Sequence, residues 1–190
     1  MESPQQWCIY TIGHSTLAGN AFVERLKSFE IETVADVRSL PGSRRWPQFD
    51  REAMEIDLPR SGIAYVWLMA LGGRRSRGLG EDSPNTAWNH LSFRNYADYM
   101  LTPGFRQGIE DLLTIGRKTR TAIMCAEAVY WRCHRRLISD FLVAHGTAVE
   151  HIMSVGKARP HVLSAEARLR PDGLIVYPGN DADLFTRPDG

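Results

Sequence analysis

Two carboxylates, two cysteines, a histidine and several arginines stand at the ends of apolar runs in this chain, and their types suit chemistry on an anionic substrate. Asp36 and Arg38 close the run that begins at Thr33. Cys125, Glu127, Cys133, His134 and Arg135 lie where a second apolar run gives way to an amphipathic one. Two acids facing one cleft divide acid and base roles when their surroundings separate their pKa values. Arginines beside them clamp phosphate or carboxylate groups. Each acid also has an arginine in its own short motif, Arg38 for Asp36 and Arg135 for Glu127. A pair of structural ion pairs bracing neighbouring loops is therefore an equal alternative.

Three further groups add to this set. Gly13, His14 and Ser15 follow the first apolar run, where glycine permits a tight turn and Ser15 either caps the next helix or holds an anion. Ser43, Arg44 and Arg45 follow Arg38 and are interleaved with Trp46 and Phe49, aromatics that stack on bases or anchor a loop in the core. Gly72, Gly73, Arg74, Arg75 and Arg77 form a glycine- and arginine-rich stretch without the lysine-serine ending of a Walker loop, so it reads as phosphate contact or as a solvated basic loop. Arginines outnumber acids eight to five from Thr33 to Gly80, a modest local excess in a chain whose formal charge is only +1. His14 and Tyr65 are expected to line the same pocket as the two acids.

The thiols give a weaker signal. Cys8, Cys125 and Cys133 form an odd set, which does not suit a disulfide scaffold. Cys125 and Cys133 are eight positions apart, not a C-x-x-C pair, and Trp131 stands where a phosphatase loop would carry its arginine. A zinc site would need more ligands than this spacing supplies, and the histidines at 14, 90, 134, 145, 151 and 161 are scattered. No metal and no cofactor is therefore expected, and the thiols are expected to be reduced and not a redox pair.

The elements that must position these groups alternate. Strands are expected near 8–12, 33–38, 64–70, 121–125 and 149–154. Amphipathic helices are expected at 20–29 (Phe22, Leu26, Phe29), at 93–100, at 105–115 and at 132–145 (Leu137, Ile138, Phe141, Leu142), with a shorter one at 50–60. Residues 74–89 are long, polar and broken by glycine and proline, the pattern of a functional loop. Such alternation predicts an α/β fold, one domain with a mainly parallel sheet flanked by helices in a Rossmann-like three-layer arrangement. Ligands in such sheets sit outside the carboxyl ends of the strands, where all the polar groups fall. The core is expected over 1–156. Residues 157–190 form a C-terminal extension, with an edge strand at 174–177 and a mobile end from Pro178.

Several of these pieces occur together in one known family. Thr11-Ile12-Gly13-His14-Ser15, Asp36-Val37-Arg38 with Pro41 and Ser43, Tyr65 with Leu71-Gly72-Gly73, Phe93, Tyr96 and Tyr99-Met100, Cys125-Ala126-Glu127, Cys133-His134-Arg135 and Val149 to Ile152 resemble the DUF488 family of bacterial and archaeal proteins. The resemblance implies a compact α/β domain whose motif residues converge and an association with nucleic-acid processing. It brings no catalytic assignment.

The reading that follows is a metal-independent hydrolase acting on a phosphate-bearing substrate. Its specific form is hydrolysis of an N-glycosidic bond in a nucleotide or nucleic acid by paired carboxylates and arginines. A non-catalytic nucleic-acid-binding domain and a cysteine-based redox or regulatory protein are the alternatives. The expected partner is an anionic substrate, DNA or RNA among the candidates. No apolar run is long enough to span a bilayer, and Met1 to Trp7 lacks a signal-peptide core, so a cytoplasmic protein without a membrane partner is expected.

Overall fold

In the computed structural model, which describes residues 7–179, five short apolar runs become one sheet because each carries apolar side chains on alternate residues for two faces. The elements run β1 (Cys8–Gly13), α1 (Gly19–Lys27), β2 (Thr33–Asp36), α2 (Arg51–Arg60), β3 (Ala64–Trp67), α3 (Leu91–Tyr99), α4 (Pro103–Gly116), β4 (Thr121–Cys125), α5 (Arg135–Ala144), β5 (Ala148–Ser154), β6 (Lys157–Pro160), β7 (Arg168–Leu169) and β8 (Ile175–Val176). The sheet order is β3-β2-β4-β1-β5-β6. Its first five strands are parallel, and β6 returns antiparallel to β5. The expected largely parallel α/β fold is what forms.

Two apolar layers sandwich the sheet. Ile12, Val34, Ala122 and Met124 pack with Phe22 and Leu26 of α1 and Met54 and Leu58 of α2. Ile9, Ala35 and Ile123 face the other way, against Tyr96 of α3, Phe105, Ile109 and Leu112 of α4, and Leu137, Ile138 and Phe141 of α5. Adjacent strands β1 and β4 therefore send their following helices, α1 and α5, to opposite faces. So do β2 and β4, through α2 and α5. This arrangement opens a crevice at the carboxyl ends of β1, β4 and β2, the usual ligand position of an open parallel sheet.

Local differences from the sequence reading have local causes. The helix expected from residue 105 starts at Pro103, in the first turn where a missing N–H costs nothing, and the Thr102 side chain caps it by accepting from Phe105 N. The helix expected from residue 132 starts at Arg135, because Tyr130–Arg132 forms a 3-10 turn and Cys133 is extended at φ −129°, ψ 149°. Residues 175–176 do not add an edge to the main sheet; they pair with β7 in a separate two-stranded ladder. The end of this segment nevertheless closes the core, since Tyr177 is buried and donates to Asp140 at 3.0 Å. The mobile end expected from Pro178 lies almost wholly outside the described residues. No helix among the described residues is long and apolar enough to cross a membrane.

Candidate functional site

The crevice has two lobes sharing Arg38, Leu40 and Ala126. One, about 260 Å³, lies between the end of β1 and the loop after β2, and is also lined by His14, Ser15, Thr16, Gly42, Ser43 and Trp46. The other, about 390 Å³, lies between that loop and the end of β4, and adds Ser39, Gly73, Arg74, Ser92, Cys125 and His134.

Arg38 is the wall between the lobes and is 6% exposed. Its Nε donates to Asp36 Oδ1 at 2.9 Å and to Oδ2 at 3.0 Å, and Nη2 donates to Oδ2 at 2.5 Å. Nη1 donates to the Phe49 carbonyl at 2.8 Å and reaches His14 Nε2 at 3.3 Å. These contacts take up four of the five guanidinium N–H donors. Asp36 is fully buried, and its remaining lone pairs accept from Arg38 N at 2.9 Å and Tyr65 OH at 2.7 Å. Burial and then the Asp36 carboxylate raise the Tyr65 pKa, so the phenol stays a donor. Asp36 thus holds Arg38 and presents no free lone pair.

His14 is locked as well. Its Nδ1 lies 3.0 Å from the Ser15 carbonyl, which only accepts, so Nε2 is left to accept from Arg38. The ring stacks on Phe49 at 4.1 Å. Burial, then the Arg38 charge, lower its pKa to about 4, so the ring is neutral at pH 7. Ser15, the next residue, has φ +46°, a left-handed conformation that a side chain adopts at a cost and that recurs at functional sites. Gly13 is required because a Cβ there would fall 1.9 Å from the Glu127 carbonyl oxygen.

The second lobe ends on sulfur and imidazole. Cys125 Sγ, Cys133 Sγ and His134 Nδ1 lie within 4.8 Å of one another. His134 Nδ1 is 4.0 Å from Cys125 Sγ and 3.5 Å from Cys133 Sγ, while Nε2 contacts the Val37 carbonyl at 2.9 Å. The carbonyl fixes the proton on Nε2 and leaves the Nδ1 lone pair toward the sulfurs. A Cβ on Gly73 would lie 2.3 Å from that Nδ1, so only glycine lets the loop press against the ring.

Arg135, 1% exposed, stands behind this group. Its Nη2 donates to the main-chain carbonyl of Glu127 at 2.6 Å, its Nε to Cys133 Sγ at 3.4 Å and its Nη1 to Thr11 Oγ1 at 3.5 Å. No carboxylate pairs with it among the described residues. Burial alone would raise the Cys133 pKa, but a hydrogen bond from Cys125 and the charge of the Arg135 guanidinium hold it well below the ordinary thiol value. Cys125 moves oppositely, raised by its bond to Cys133 and by burial.

The expected anion-binding residues separate. Arg74 is exposed at the rim of the second lobe, and its N–H donates to Ser39 Oγ at 2.7 Å. Arg44, Arg45 and Arg77 are exposed. Arg75 instead folds back, its guanidinium 3.5 Å from the Tyr99 ring centre and Nη2 donating to the Ala70 carbonyl. Ser43 Oγ accepts from Trp46 N at 3.1 Å and shapes the loop, and Gly72 packs on Ser39. Glu127 is exposed, and its carboxylate has no ion pair among the described residues; Arg135 meets its backbone instead. Three donor atoms of types that ligate metals converge although their spacing along the chain gives no such pattern, because the turn at 130–132 folds Cys133 and His134 back onto the end of β4.

Sequence reasoning missed a buried relay behind Arg135. Thr11 Oγ1 meets His151 Nδ1 at 2.7 Å, His151 Nε2 meets His161 Nδ1 at 2.9 Å, and His161 Nε2 meets Asp140 Oδ1 at 2.9 Å. Tyr130 stacks on His151 at 3.4 Å. His151 and His161 come together through the β5–β6 hairpin, which the sequence reading did not include.

A family described as a domain of unknown function, DUF488, matches residues 19–142. The match takes in Arg38 and the Cys125–Arg135 segment and leaves His14 and β5 outside it. No curated protein and no solved structure matches the chain.

Proposed function

The chain belongs to the DUF488 family, and from its crevice we propose that it is an enzyme that binds a phosphate-bearing ligand between Arg38 and Arg74 and acts on it by hydrolysis or group transfer. The observation that carries this reading is the placement of the Cys125–Cys133–His134 cluster beside the exposed guanidinium of Arg74, which has no ion pair among the described residues, at the carboxyl edge of a parallel sheet. Arg74 supplies the anion contact, and Arg38 lines the same lobe. Trp46, half-buried on the wall of the neighbouring lobe, offers a flat face to a base, which favours a nucleotide.

Which groups react differs from the paired-carboxylate scheme. Asp36 has no lone pair to spare, so its part is to position Arg38. N-glycosidic hydrolysis is a version of this reading in which the exposed Glu127 turns into the crevice to face the sugar. The thiol–imidazole group serves the more general version.

The test is a panel of nucleoside phosphates and inorganic phosphate titrated against the full chain and against Arg74→Ala. A charge-assisted hydrogen bond contributes about 1.5–3 kcal/mol, so affinity should fall on the order of 10- to 100-fold. The melting temperature should not move, since Arg74 is exposed. Equal affinity of the two proteins for every phosphate-bearing compound that binds would sink the assignment.

Exposed Arg44, Arg45, Arg74 and Arg77 favour one second reading, a polynucleotide lying across the crevice. Its affinity would fall steeply with salt, and no binding at low ionic strength would remove it.

A further inference from the structure

A crevice that ends on two sulfurs and an imidazole poses a question that anion binding does not answer. The donors come from fixed elements. Cys125 is the last residue of β4, and Cys133 and His134 are the two residues before α5. We propose that Cys125, Cys133 and His134 bind one divalent metal ion of the zinc class, with the fourth coordination position opening into the crevice.

Geometry is the first support. Zinc bonds of about 2.3 Å to sulfur and about 2.0–2.1 Å to nitrogen, at tetrahedral angles, put a sulfur and a nitrogen donor roughly 3.6 Å apart and two sulfurs roughly 3.8 Å apart. His134 Nδ1 lies 3.5 Å and 4.0 Å from the two sulfurs, and all three donor atoms fall within 4.8 Å. Closing on an ion needs the nitrogen–sulfur distances to change by no more than about 0.4 Å and the sulfur–sulfur distance by no more than about 1 Å. Two thiolates and one imidazole select a borderline-soft ion over magnesium or calcium.

The surrounding shell is the second support. A ligating histidine usually gives its other ring N–H to a carbonyl or carboxylate, which holds the ring and directs the free lone pair to the ion. His134 Nε2 does this with Val37 O at 2.9 Å. One of the sulfurs also has an N–H donor of its own, since Arg135 Nε donates to Cys133 Sγ at 3.4 Å. Donors aimed at sulfur stabilise thiolates, the form that ligates.

Charge and access give the third. A divalent ion, two thiolates and the buried Arg135 sum to +1, so the open position favours hydroxide or an anionic ligand oxygen. That position faces the lobe lined by Cys125, His134 and Arg74. A three-ligand site with an open fourth place is the catalytic rather than the structural pattern. The ion would thus be a Lewis acid for the phosphate-bearing ligand; this last point rests on the functional reading above, whereas the site itself rests on its own donors.

The experiment uses the full chain, reduced and stripped with a chelator, then titrated with zinc against a chromophoric competitor and separately with cobalt. One equivalent should bind. Cobalt should give thiolate charge-transfer absorption and the ligand-field bands of a tetrahedral centre. Zinc should protect Cys125 and Cys133 from alkylation and leave Cys8 reactive, and a chelator should reverse this. Cys125→Ser, Cys133→Ser and His134→Gln should each lose more than about 100-fold in affinity, beyond the 10- to 100-fold typical of outer-shell changes. Cys8→Ser should bind like the parent. If a variant does not fold, the alkylation pattern of the parent decides. Zinc-insensitive alkylation of all three thiols, one hyper-reactive Cys133 that zinc does not protect, or a Cys125–Cys133 disulfide that forms in place of the metal complex would each overturn the proposal. Zinc refused while a nucleotide still binds through Arg74 removes the ion and spares the functional reading; zinc bound with no phosphate-bearing ligand accepted does the reverse.

Discussion

Replacing Asp36 by Asn separates a carboxylate that reacts from one that holds. Asn keeps the shape and one acceptor oxygen, which still receives Arg38 N and Nε. Its amide N–H₂ then stands where Oδ2 accepted from Arg38 Nη2 and Tyr65 OH, so donors face donors. Arg38, 6% exposed, is left a buried cation without its counter-charge. Breaking a buried ion pair from one side costs about 3–5 kcal/mol, and the retained oxygen argues for the lower half of that range. In a chain of this size each kcal/mol moves the melting temperature by roughly 2–4 °C, so a drop of roughly 6–15 °C is expected. Urea unfolding with an unchanged slope should give the same loss. Glu127→Gln, at an exposed side chain without an ion pair, should stay within about 0.5 kcal/mol of the parent. The reasoning fails if Asp36→Asn keeps parental stability yet lowers turnover by about 10²-fold or more, the signature of a lost acid–base group. Asp36 would then be a catalytic carboxylate after all.

Other perturbations test neighbouring parts of the same argument. Gly73→Ala puts a methyl group 2.3 Å from His134 Nδ1, so the ring must turn and its bond to Val37 O is lost; overpacking and that bond together should cost about 2–4 kcal/mol, read by thermal unfolding, and an unchanged midpoint would show that the loop simply backs away. Burial lowers the pKa of His14 to about 4 and, with the His161 charge second, that of His151 to about 3, both below the ordinary 6.5. Between those values and 6.5 the unfolded chain binds more protons, so stability is full above about pH 6.5 and falls as the pH drops toward 4, by a few kcal/mol in all; a urea midpoint constant from pH 7.5 to 4.5 would contradict the buried neutral histidines. Tyr65→Phe removes one donor to Asp36 and should cost about 1 kcal/mol in stability, less than Asp36→Asn, as compared by urea unfolding.

Short continuous apolar runs bounded by turn residues, and the helical spacing of Phe22 with Leu26, or Leu137 with Ile138 and Phe141, determined the layers by themselves, because burial on two sheet faces and one helix stripe is written in residue order. So was the edge at which these polar motifs collect, since every one of them follows a strand. The pairing of Asp36 with Arg38 was legible too, being two residues apart. What acts on what was not. Arg135 and Glu127 share a motif, yet the folded chain gives the guanidinium the Glu127 carbonyl and the Cys133 sulfur, because the 3-10 turn at 130–132 and the extended Cys133 reverse the chain between them. The same reversal turns an eight-residue gap between two cysteines into a contact and brings His134 to both. The partnership of His151 with His161, and of His161 with Asp140, depends on a hairpin and a helix that meet only when β5 takes its place beside β1. Spacing along the chain reports which side of an element a residue occupies. Which side chains end up within bonding distance across elements is set by how β1, β4 and α5 close against one another, and that depends on the packing of the whole core.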